Sequence, residues 1–119
     1  MSAKGLLAAG AINGGLSVVA GAFGAHSLRD KLEPRAFEAF ETAARYQMYH
    51  ALAIVLCALI ATAGARTSGW IFQGGIVMFS GSLYALALSG VKELGAVTPF
   101  GGLAFLVGWG WLAVTALRT

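Results

Sequence analysis

Charge is what this chain lacks. Its 119 residues carry only eight basic and five acidic side chains. That is 11% charged, against ~25% in an ordinary soluble domain. So few charges cannot coat a water-soluble globule, and the mean hydropathy of +0.77 agrees. The net charge of +3 is dispersed rather than clustered, which excludes a nucleic-acid footprint. Cys57 is the one cysteine, so an intrachain disulfide is excluded and a buried thiol is expected.

Catalytic signatures are missing too. There is no Walker motif, GxSxG, HxxxH, Cys/His cluster or pair of intramembrane carboxylates. Gly108-Trp109-Gly110-Trp111-Leu112-Ala113 matches a loose GxGxxA pattern. It lies inside an apolar run too near the end of the chain for a βαβ unit. Ser80-Gly81-Ser82 reads as helix packing rather than a nucleophile. No catalytic, cofactor-binding or metal-binding residue is assigned, and the chain is not expected to be an enzyme.

What is present is apolar length. Four uncharged runs, Gly5–Leu28, Tyr46–Ala65, Thr67–Val91 and Leu94–Leu117, separate the charges. Each is long enough as a helix to cross a ~30 Å hydrocarbon core at 1.5 Å per residue. The expected fold is all-α: an integral membrane four-helix bundle, one polytopic domain over 1–119, with spans near 5–27, 46–65, 68–89 and 95–117. Lys4 and the small residues Ala20, Gly21 and Ala22 imitate a signal peptide. The run exceeds the ~7–15 residues of an h-region, so a retained first span is expected.

Span 1 is poor in large side chains, and its Gly10/Gly14 and Gly21/Ala25 pairs suit close helix contacts. This places it in the bundle interior. Gly81 and Ala85 form a similar packing stripe on span 3. Ser27–Arg45 holds every acidic residue but Glu93. With Phe37, Phe40 and Ala44 on one face it predicts an amphipathic juxtamembrane helix, which either lies on the surface or runs into span 2. A tight hairpin is expected to join spans 2 and 3 around Ala63–Arg66. Counting Lys and Arg gives five on the face holding 28–45 against three on the other, which favours that loop as cytoplasmic.

Threading the spans gathers polar side chains toward one leaflet: His26, Glu41, Arg45, Tyr46, Gln47, Tyr49, His50, Ser80, Ser82, Tyr84 and Thr98. Glu41 and Arg45 are four apart, as are Arg45 and Tyr49, and Tyr46 and His50, so each pair shares a helix face. Polar groups in hydrocarbon must find partners. The cluster therefore either locks the helices together or binds a lipid headgroup or small amphiphile, with Arg45 as the phosphate contact. A small-solute or proton path is the second reading, with Asn13, Ser17 and Gln73 lining its other half. A haem or metal held by His26 and His50 is the third. Expected partners are membrane lipids, a second copy, or a larger membrane complex in which the chain is an accessory subunit.

Gly21-Ala22-Phe23-Gly24-Ala25-His26, then Phe40-Glu41-Thr42-Ala43-Ala44-Arg45-Tyr46-Gln47-Met48-Tyr49-His50, resemble the signature of the YgdD/YwdK-type small inner-membrane proteins. Phe79-Ser80-Gly81-Ser82-Leu83-Tyr84 and Thr98-Pro99-Phe100-Gly101-Gly102 resemble its second half. The resemblance implies four spans in a bacterial inner membrane. It implies no substrate, cofactor or catalytic residue.

Overall fold

The computed structural model describes residues 3–118. They form four long helices: α1 (Ala3–Leu28), α2 (Pro34–Ile60), α3 (Ala63–Ser89) and α4 (Thr98–Arg118). A 3-10 stretch, Lys92–Ala96, leads into α4, and a π-helical stretch, Val19–Gly24, interrupts α1. Strands are absent among the described residues. All four helices are long and apolar enough to cross a membrane. The protein is an all-α, multi-pass membrane protein.

One boundary differs from expectation. Of the two placements expected for the amphipathic segment, the run straight into span 2 is the one found, with no separate juxtamembrane element. Pro34 occupies the first turn of α2, where its missing N–H is harmless, and the helix runs unbroken to Ile60. The α2–α3 connection is Ala61 and Thr62, earlier than Ala63–Arg66. Ala61 takes a left-handed conformation with φ of 62°, and Thr62 Oγ1 accepts from the Ala65 N–H at 3.2 Å. Arg66, one turn into α3, reaches back to the Ala61 carbonyl at 2.6 Å. Its charge marks the interface rather than the turn. Thr62→Ala removes the helix cap and is expected to cost about 1 kcal/mol, read as lowered thermal stability in detergent. Thr62→Ser should retain most of it.

α2 and α3 form the centre, with α1 against one side and α4 against the other. Ala53, Ile54, Cys57, Ala58, Ala65, Phe72 and Ile76 make the core, joined by Leu6 from α1 and Phe105 from α4. Glycines allow the approach of α4. Phe105 fills the space beside Gly75, Phe72 lies against Gly108, and the Phe79 backbone lies against Gly101.

α1 is peripheral rather than interior. Only one stripe of it is covered, through Leu6, Gly10, Asn13 and Ser17, with Ala25 beyond the π stretch, while Leu7, Ile12, Leu16 and Phe23 are exposed. Gly10 faces Ala51, Ile54 and Val55, Gly14 faces Ala51, and Gly21 faces Ala44. The π stretch lets the burial interval lengthen, so Gly21 and Ala25 stay on the α2 side. The α3 stripe behaves differently. A β-carbon at Gly81 would meet no atom of another element within 4 Å and Ala85 is exposed, so this stripe packs no helix of the described chain.

Candidate functional site

Depth organises the polar residues. α1 and α3 start at the same face, here face A, and α2 ends there. Asn13 and Gln73 each lie ten residues into their helices, about 15 Å at 1.5 Å per residue. That is the midplane of a ~30 Å core. His50 stands ten residues before the end of α2, at the same depth. Gln47 is one turn nearer face B.

At this level three helices exchange amide hydrogen bonds. Asn13 Nδ2 donates to Gln73 Oε1 at 2.7 Å and to the Ala9 carbonyl at 2.9 Å. Gln47 Nε2 donates to Asn13 Oδ1 at 3.0 Å. Tyr84 donates its hydroxyl to Gln47 Oε1 at 2.8 Å. The Ala9 carbonyl fixes the direction of the whole chain. Only an N–H can face a carbonyl, so Asn13 must point its nitrogen there and its oxygen toward Gln47. Gln47 must then turn its own oxygen to Tyr84, and Gln73 must present oxygen to Asn13. Every donor points from Tyr84 toward Gln73. Asn13 and Gln47 are buried, and Gln73 and Tyr84 are half-buried.

A second interface joins α2, α3 and α4 through rings. His50 is buried and stacks on Phe105, with centroids 3.5 Å apart and planes 5° from parallel. Phe72 and Trp109 close around it at 5.4 and 5.9 Å, and Tyr46 packs on Phe79 at 4.8 Å. His50 Nδ1 meets the Tyr46 carbonyl at 2.8 Å, so that nitrogen carries the proton. Nε2 then accepts from Trp109 Nε1–H at 3.1 Å. This is a neutral imidazole with both nitrogens occupied, leaving no lone pair for a metal or haem. His26 is exposed near the end of α1, 23 residues beyond Ala3 and so about 35 Å along the helix from face A. The two histidines are therefore separated by roughly 20 Å in depth.

The remaining candidates lie toward face B. Ser80 donates to the Ala43 carbonyl at 2.8 Å and Ser82 pairs with Thr98, tying α3 to α2 and α4. Glu41 lies 19 residues from the end of α2, about 28 Å, and Arg45 about 22 Å. Arg45 turns back toward the boundary, its Nη2 on Thr42 Oγ1 at 3.2 Å. The expected Glu41–Arg45 pair is not formed: the described residues give Arg45 no partner besides Thr42. Both charges instead rim a cavity of about 240 Å³ between α1 and α2, lined by Ser17, Gly21, Ala44 and Met48 as well. Tyr49 is 52% exposed and stays outside it.

The expected single cluster is thus three arrangements: an amide chain, an aromatic column and a charged rim. Asn13 and Gln73 belong with Gln47 and Tyr84 rather than with a separate path. Trp109, which the sequence did not single out as a site residue, is a partner of His50. Ser68 Oγ and Trp70 Nε1 are buried without a partner among the described residues. The description "Protein of unknown function (DUF423)" matches residues 20–102. A UPF0382 membrane protein of Staphylococcus epidermidis is 46% identical over 112 residues, 92% of each chain. The UPF0382 membrane protein YwdK of Bacillus subtilis is 42% identical over 114 residues, 92% of this chain and 93% of its own. A Staphylococcus aureus relative is 40% identical over 112 residues, 92% of both. No solved structure matches.

Proposed function

Because the chain belongs to the DUF423 family of membrane proteins, we propose that it acts without catalysis in the bacterial inner membrane, binding a phospholipid headgroup at face B. The observation that carries this is the charged rim. Glu41 and Arg45 stand one turn apart beside an open cavity, and neither neutralises the other. A zwitterionic headgroup offers the complement, with phosphate for the Arg45 guanidinium and ammonium for the Glu41 carboxylate. Arg45 sits below the boundary with its side chain turned upward, as cationic side chains do near helix ends. Exposed Leu52 and Leu56 continue below the rim as a lane for an acyl chain.

The test is native mass spectrometry from mild detergent with added phosphatidylethanolamine. One bound lipid is expected on the unaltered protein, and about tenfold lower occupancy on Arg45→Ala, a loss of about 1.4 kcal/mol. Equal occupancy in the two proteins would reject the site.

A further inference from the structure

The amide chain ends in an unspent donor. Gln73 Oε1 is taken by Asn13, and Gln73 Nε2 has no acceptor among the described residues. It opens into a groove of about 350 Å³ between α1 and α3, with Gln47 in its floor and Leu16, Ile76, Val77, Ser80, Gly81 and Tyr84 around it. α1 and α3 touch only lightly, which is why the groove exists. Gly81 leaves its wall low.

From this geometry we infer that the groove binds a neutral, lipid-dissolved molecule whose polar group is a carbonyl, of the quinone class, through Gln73 Nε2. The depth selects the chemistry. Ser80, Gly81 and Tyr84 continue the groove toward face B, while its Gln73 end lies about 15 Å from face A, near the midplane. The Gln73 end is out of reach of phosphates, ammonium groups and the ester carbonyls of phospholipids. A charged ligand is excluded by the cost of desolvation there. An N–H without a partner in hydrocarbon costs several kcal/mol, so what fills the groove must accept a hydrogen bond. The aligned chain sharpens the preference. Each bond polarises the next, from the Tyr84 hydroxyl through Gln47 and Asn13 to Gln73, and the terminal N–H is a stronger donor than an isolated amide. The same chain is no proton path, because an amide passes a proton only through a high-energy imidic acid. It orients a donor.

This site is separate from the headgroup rim, and the two fail separately. The probe is decylubiquinone, compared in native mass spectrometry with dodecylbenzene, which has a ring and a chain but no acceptor. A 1:1 quinone adduct is expected at about tenfold higher occupancy than the hydrocarbon. Gln73→Leu should abolish that preference. Val77→Trp, which fills the groove from an exposed position and leaves the amides intact, should abolish the adduct. Arg45→Ala should leave it unchanged. Equal binding of the two probes would overturn the inference, as would a preference surviving Gln73→Leu. A stable dimer lost on Val77→Trp, with no quinone adduct, would assign the groove to a second copy and equally overturn it.

Discussion

Gly101→Val is expected to detach α4 from α3 and to lower stability by about 3 kcal/mol or more. A β-carbon at Gly101 would fall on the backbone of Phe79, within 2.7 Å of its Cα. Flexible side chains can rotate away from a new methyl, but backbone cannot, so α4 must translate as a body. Overpacking in a dense interior commonly costs about 1–3 kcal/mol, and this site lies at the upper end because nothing local can yield. The Phe105–Gly75 and Phe72–Gly108 contacts would open with it, and so would the Phe105 stack on His50. Gly110→Ala is the control. No atom lies within 4 Å of its added carbon, and relief of the glycine helix penalty should stabilise by up to about 1 kcal/mol. Thermal unfolding in one detergent compares them. Equal midpoints for Gly101→Val and Gly110→Ala would show that the α3–α4 contact is misplaced.

The second large effect belongs to Asn13. Asn13→Leu keeps the number and branching of side-chain heavy atoms and removes two interhelical hydrogen bonds, to Gln47 and to Gln73. It strands the Gln47 amide nitrogen, which is buried beneath α1. A buried group left without its partner costs about 1–3 kcal/mol. Hydrogen bonds between membrane helices average only about 0.6 kcal/mol, because the separated helices also find partners. About 2 kcal/mol is the expected loss. The diagnostic is non-additive. Asn13→Leu combined with Gln47→Leu, Gln73→Leu and Tyr84→Phe removes donors and acceptors together, and should be no less stable than Asn13→Leu alone. If each further substitution adds its own loss, the amides act as independent packing groups and not as one chain.

The sequence makes the spans legible because absent charge is a one-dimensional signal. Depth is legible for the same reason: counting residues from a helix end places Glu41 at the boundary and Asn13 at the middle. Lateral facing is not, since it depends on which neighbour arrives. Gly81 and Gly101 are equally small, yet one faces open space and the other faces a backbone. Asn13 counts against insertion when read alone, and becomes the hub once Gln47 and Gln73 are beside it. The signal that could have found the chain was there, namely three carboxamides in three apolar runs at compatible depths. Arg66 misled for a physical reason. A long cationic side chain reports where the interface is, while its own backbone is already helical. His50 and Trp109 stand on different helices 59 residues apart, and nothing in the sequence pairs them, although both lie close to the middle of the bilayer.

The peripheral seat of α1 reverses the usual relation between birth order and assembly. α1 is synthesised before its docking site is complete, because Asn13 needs Gln73, which follows 60 residues later. At translation speeds of about 5–20 residues per second, Asn13 waits roughly 3–12 s for Gln73, its nitrogen meanwhile on the Ala9 carbonyl and Gln47 arriving 34 residues after it. During that interval α1 is held by its own hydropathy and by the glycine stripe that docks on α2, and α3 completes the contact.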